Sequence, residues 1–333
     1  MMKSGLIVAL LFSLLLQARA APVAYTPPNP SNRVRSVAYN WYDSSRARSV
    51  PIRIYYPAKL VAPLPVILFS HGLGGSRDDY SYLGRYWAGC GYIVVHLQHL
   101  GSDSSIWQNA PNLLAAGLAF KNAVLDVRNA INRPLDVTFA LDQLCRLNAT
   151  NGLFHAKLDT NNIGMAGHSF GGFTTMAIAG EIFMLPDGKE RTFLDPRVKA
   201  GIQMSAPKSF SSNRLKYIYG RITIPIFHMT GTLDDSPIGE TTAAERRLAF
   251  DNMTRSEEYL LNFKGGDHMI FSGRVGDPDP KDDEFQKMIC RGSTAFWDAY
   301  LKRRPGAKEW LSGGAFQKEL AENGILEKKR PVR

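Results

Sequence analysis

Short runs of apolar residues alternate along this chain with longer stretches of helical spacing, almost from end to end. Residues 34–42 and 50–56 switch between polar and apolar at successive positions, which predicts an antiparallel pair of half-buried strands. Residues 65–69, a β-rich apolar run, and the short segments 92–96, 162–166, 198–204, 224–229 and 257–263 predict further strands. Helical spacing occupies residues 79–90, 119–132, 135–147 and 293–301, with Pro134 expected to break the chain between the second and third of these. Strands that alternate with helices predict an α/β fold, a mostly parallel sheet with helices on both faces. No internal repeat or low-complexity block interrupts the pattern, so 333 residues are read as one large core.

Both ends depart from the pattern. Lys3, the apolar stretch 6–16 and the small residues flanking Arg19 describe a signal peptide over 1–20, cleaved after Ala20. The expected product is a secreted or periplasmic protein with one domain over 21–310 and a basic tail over 311–333. Loss of Lys3 and Arg19 lowers the formal charge from +10 to +8. The remaining cations are scattered and no groove-reading motif accompanies them, so nucleic acid is not an expected partner, although contact with anionic surfaces is. Three cysteines lack metal-ligand spacing. In an oxidising compartment Cys145 and Cys290 are the pair expected to bridge, with Cys90 buried.

The chemistry concentrates in residues 167–172, Gly-His-Ser-Phe-Gly-Gly, placed between a strand and a helix. A serine on so sharp a turn needs neighbours without side chains, which Gly167 and Gly171 supply, and its hydroxyl then stands clear of the sheet. Such a nucleophile needs oxyanion donors, an acid and a base. The glycine-rich segment after residue 69 offers the N–H of Leu73, and the N–H of Phe170 follows the serine itself. Downstream, Asp234 and Asp235 follow a strand; the Gly-x-x-Asp spacing favours Asp234, with Asp235 left open. His268 is the histidine that follows the acid, which completes a Ser169, Asp234, His268 order. His71 and His168 are expected to orient backbone, His99, Trp107 and Met204 to line a pocket, and residues 113–120 to form a cap.

These motifs, Phe69-Ser-His-Gly-Leu73, the elbow at 167–172 and Thr230-Gly-Thr-Leu-Asp-Asp-Ser-Pro237, resemble the α/β-hydrolase superfamily over residues 34–301. The wording is similar to the branch of dienelactone-hydrolase-like and platelet-activating-factor-acetylhydrolase-like proteins. The resemblance implies an eight-stranded sheet, with Ser169 as nucleophile, Asp234 as acid, His268 as base, and Leu73 and Phe170 as oxyanion donors. Dienelactone hydrolases carry a cysteine where this chain has Ser169, which turns the expectation to ordinary carboxylic esters, cleaved by a monomer without metal or cofactor. The ester could belong to a small molecule, a phospholipid as for a phospholipase A2, or a polyester as for a cutinase. From another class, the alternative is a catalytically silent binding protein on the same fold, against which the full set of competent residues argues.

Overall fold

A computed structural model describes residues 24–150, 152–184, 188–209, 214–272 and 280–332, so the expected signal peptide and its cleavage point lie outside the described residues. The strands are β1 (Val34–Asp43), β2 (Arg48–Pro57), β3 (Leu64–Ser70), β4 (Ile93–Leu97), β5 (Leu158–His168), β6 (Ile182–Met184), β7 (Glu190–Thr192), β8 (Val198–Met204), β9 (Ile226–Leu233), β10 (Glu258–Asp267) and β11 (Gly324–Lys329). Nine of them form one sheet in the order β1-β2-β4-β3-β5-β8-β9-β10-β11. From β4 to β10 every neighbouring pair is parallel; β1, β2 and β11 run antiparallel to their neighbours. This is the architecture of the α/β-hydrolase fold, with one strand more than the eight expected.

Why the central strands read as unbroken apolar runs is visible in β3. Val66 and Leu68 enter a core cluster on one face, while Ile67 and Phe69 enter the cluster on the other. A strand covered on both faces has no polar alternate positions to show. One face is covered by α1 (Ser81–Gly89) and the long helix Asp282–Tyr300, whose Trp87 and Trp297 rings meet edge to face at 5.9 Å. The other carries Val137, Ala140, Leu141 and Leu144 of the helix Val127–Ala149.

Between α1 and the elbow helix lie α2 (Ser105–Gln108), α3 (Leu113–Leu125) and α4 (Val127–Ala149). Two expectations fail here. The helix read at 119–132 is divided at Asp126, whose extended backbone and side chain cap the N-terminus of α4. Pro134 does not break the chain but sits inside α4. A proline forfeits one helical hydrogen bond; here the buried apolar residues that follow it, and the buried side chains of Arg133 and Asp136 beside it, hold the helix to the sheet.

The remaining helices are α5 (Phe170–Ala179), α6 (Leu215–Ile218), α7 (Leu248–Asn252), α8 (Asp282–Tyr300), α9 (Ala307–Ser312) and α10 (Ala315–Leu320). The segment expected to be a basic tail therefore folds: Phe316 and Leu320 of α10 are buried, and β11 pairs with β10 from Gly324 to Lys329. The apolar spacing of Trp310, Phe316 and Leu320 was masked by the surrounding charges. The expected disulfide is absent. All three cysteines are free, and Cys145 lies on α4, on the opposite face of the sheet from Cys290 in α8. Among the described residues, no helix is long and apolar enough to cross a membrane.

Candidate active site

Ser169 stands where β5 turns into α5, with φ 55° and ψ −118°, a conformation that side-chain-bearing residues rarely occupy and that costs on the order of 1–3 kcal/mol. Its N–H is tied to the carbonyl of Met204 at 2.8 Å. The glycines around it are explained by close approach. A side chain at Gly167 would strike the backbone of Gly171, and one at Gly171 would strike the carbonyl of Ser70.

At the C-terminal ends of β9 and β10, the Asp234 carboxylate is fully buried and faces His268, with 2.8 Å between Oδ1 and Nδ1. Its Oδ2 accepts from Ser205 Oγ at 2.5 Å and from Thr230 Oγ1 at 2.7 Å. The Arg246 guanidinium lies 3.3 Å from Oδ1 and also donates to the carbonyls of Ser205, Ala206 and Asp234. Asp235 turns the other way and accepts from the N–H of Ala243 at the start of a 3₁₀ turn.

A relay of side chains links this pair to the glycine-rich loop after β3. His168 is fully enclosed, and burial with the neighbouring His268 and Arg246 charges lowers its pKa well below the ordinary histidine value. A neutral ring has one donor; Nε2 spends it on the carbonyl of His268 at 3.0 Å, so Nδ1 accepts from the Tyr80 hydroxyl at 2.8 Å. The same hydroxyl accepts from the N–H of Gly72 at 3.3 Å. A side chain on Gly72 would lie 3.5 Å from Ser169 Cβ, which places the loop directly over the serine.

Behind the loop lies a second buried network. Asp136 takes Arg48 and Arg46 on Oδ1 and His99 Nδ1 on Oδ2. His99 therefore accepts from Ser70 Oγ through Nε2 at 2.8 Å, and burial lowers its pKa to about 4. The backbone N–H of His99 donates to His71 Nε2. Arg133, with no exposed surface, donates to the carbonyls of His71 and Gly72 and lies over the Phe170 ring at 4.2 Å.

Of the residues expected to form the site, the structure thus brings together Ser169, Phe170, the loop containing Leu73, Asp234 and His268. Two pocket expectations are corrected. His99 has both ring nitrogens engaged in the network behind the loop and no exposure, and Met204 is packed in the core with only its carbonyl reaching Ser169. Trp107 remains 43% exposed, with its Nε1 on the carbonyl of Gly74. The cap expectation corresponds to α3, whose Phe120 ring abuts Gly74 while Leu113, Leu114 and Leu118 face solvent. Sequence reasoning missed Ser205, Thr230, Tyr80, Arg133 and Arg246. Thr230, one helical turn's spacing before Asp234 in the same motif, was the readable one; the others belong to distant segments. A cleft of about 490 Å³ between α9 and β11, with Lys308, Lys328 and Arg330 on its walls, includes none of these residues. No group of His, Cys, Asp and Glu side chains among the described residues is arranged to hold a metal ion.

Known proteins are similar to this chain in sequence. The family model of platelet-activating factor acetylhydrolase, isoform II, matches residues 49–111, the stretch that carries β2, β3, the glycine-rich loop and β4. A platelet-activating factor acetylhydrolase of Cavia porcellus is 26% identical over 309 residues, 79% of this chain and 63% of the relative. One of Canis lupus familiaris is 26% identical over 212 residues, 51% of this chain and 42% of the relative. The chain thus spans less than two thirds of the length of these curated relatives. By sequence it is similar to the platelet-activating factor acetylhydrolases, a branch of the α/β-hydrolase superfamily, whose fold its sheet shares.

Proposed function

We propose that this chain is a serine hydrolase that cleaves carboxylic esters through an acyl-enzyme on Ser169. The observation that carries the reading is the strained elbow serine beneath the glycine-rich loop, together with the buried Asp234–His268 pair at the ends of β9 and β10. His268 takes the Ser169 proton as the hydroxyl attacks the ester carbonyl, and the N–H groups of Leu73 and Phe170 receive the oxyanion. Asp234 holds Nδ1–H and stabilises the imidazolium, and collapse expels the alcohol. Water, activated by the same imidazole, then releases the acid. Each oxyanion donor is worth about 3–4 kcal/mol, because it meets charge that exists only in the transition state.

The name of the relatives specifies an acetyl group removed from platelet-activating factor, which supports an ester of a phospholipid with a short acyl chain as the substrate class. The exposed leucines of α3, next to Trp107 and the glycine-rich loop, suit a substrate with an apolar part. The leader read at residues 1–20 supports export, into the periplasm or medium. The test is labelling by a fluorophosphonate, compared with Ser169→Ala, followed by nitrophenyl esters of rising chain length, a 2-acetyl phospholipid and an aromatic polyester. Labelling that depends on Ser169 and turnover that falls with acyl length are expected. Intact protein that stays unlabelled would make it a binding protein on a hydrolase fold.

A further inference from the structure

Arg133 is a buried cation with no direct carboxylate ion pair among the described residues. The neighbouring Asp136 is taken by Arg46, Arg48 and His99, and Asp103 accepts from Gln98 and Ser105. A charge in such a place is expensive unless hydrogen bonds and an opposite charge meet it. The hydrogen bonds are there: Nη1 donates to the carbonyl of His71 at 2.6 Å, Nη2 to the carbonyls of Gly72 and Ser102 at 3.3 Å each, and Nε to Ser102 Oγ at 2.9 Å. The opposite charges stand off: Asp136 and Asp103 act on Arg133 through space without a direct ion pair.

The partners of the guanidinium are informative. In a trans peptide the C=O and the following N–H point in opposite directions. Holding the carbonyl of Gly72 toward Arg133 therefore turns the N–H of Leu73 away from it, out of the loop. His71 Nδ1 donates to the same carbonyl and reinforces the orientation. The guanidinium carbon also lies over the Phe170 ring, 4.2 Å from its centroid, and Phe170 carries the other N–H. One side chain thus touches both peptide segments that would receive an oxyanion.

We propose that Arg133 is the positioning residue of the oxyanion hole: it fixes the orientation of the Leu73 and Phe170 N–H groups and sets a buried positive charge behind the oxyanion during the reaction. The inference rests on the hydrolase reading above. Burial lowers the Arg133 pKa to about 9, against the smaller opposing pull of Asp136, Tyr80 and Asp103. Lysine cannot replace it, since a single ammonium cannot fork to the carbonyls of residues 71 and 72 while lying over an aromatic ring.

The test uses the full chain with Arg133→Lys and Arg133→Met, a short-chain nitrophenyl ester, and a trifluoromethyl ketone as transition-state mimic. A loss of kcat of about 10²-fold or more is expected, with KM changed little and mimic affinity falling in parallel with kcat/KM. A role confined to folding would lower the melting temperature without this split. Unchanged mimic affinity in a folded Arg133→Lys protein, or a loss expressed wholly in KM, overturns the proposal. Should both variants fail to fold, Phe170→Leu removes the aromatic seat of the guanidinium and keeps the N–H. A roughly tenfold weaker mimic supports the proposal, and unaltered binding refutes it. Wild-type protein without Ser169-dependent fluorophosphonate labelling would instead sink the hydrolase reading, and Arg133 with it.

Discussion

Replacing Glu181 by glutamine should stabilise the protein at neutral pH and leave it unchanged in acid. Glu181 follows α5, is 4% exposed, and shares a small cavity with Gln203, Tyr219 and Arg246. Burial, the dominant cause, lifts its pKa from 4.5 to about 8, against a smaller opposing hydrogen bond with Ser209. The unfolded chain releases this proton near pH 4.5, and the folded chain keeps it until about pH 8. Between those values the folded state binds more protons, so stability falls as pH rises and reaches its full deficit above pH 8. At pH 7.5 the deficit amounts to about 4 kcal/mol as an upper value, which in a chain of this size is roughly 5–10 °C of melting temperature. Glutamine has almost the same shape and never ionises. Calorimetric melts of wild type and Glu181→Gln from pH 4 to 8.5 should coincide at the acid end and separate steadily above pH 5, with the variant higher. Parallel curves would refute the reasoning and show that the carboxylate is ionised in place.

Four buried histidines act in the opposite direction. Burial lowers the pKa of His71 and His168 well below the ordinary value, and that of His96 and His99 to about 4; their contribution is intact above pH 6.5 and lost as pH falls toward 4. Each adds a slope of about 1.4 kcal/mol per pH unit across its window, so urea midpoints should peak near pH 6.5, and a midpoint that goes on increasing as the pH is lowered from 6.5 to 5 contradicts the assignment. Gly171→Ala should yield little folded protein, because its Cβ meets the Ser70 carbonyl; a soluble variant with normal activity would show that β3 and the elbow can separate. Thr230→Val with Ser205→Ala strips Asp234 Oδ2 of its hydroxyl partners. A loss of about 2–4 kcal/mol in stability, read from urea unfolding, is expected.

The sheet was legible because most of its strands are covered on both faces. A run such as 65–69 has nowhere to place a polar residue, and its boundaries in the structure shift by about one position. The elbow was legible for a steric reason that the structure makes explicit at Gly167 and Gly171. Pro134 misled because a local rule met a tertiary tie: the side chains either side of it are anchored behind the glycine-rich loop. Residues 311–333 misled because the tail's high charge hides a small apolar set whose partners lie on α8 and β10. Arg133, Ser205 and Arg246 were invisible for the same reason. Each acts on backbone carbonyls or carboxylates brought near by folding, and nothing in their own neighbourhood along the chain marks them.

That last strand has a consequence for how the molecule is made. β10 presents the base at its C-terminal end, and one of its two edges stays bare until residues 324–329 arrive. During synthesis these residues emerge after the other eight strands of the sheet, so this edge is the last to be covered. A message cut short near residue 310 would give a protein that retains Ser169, Asp234 and His268 but offers an open strand edge to its neighbours. The strand that ends at the base thereby depends on the six residues that cover its edge.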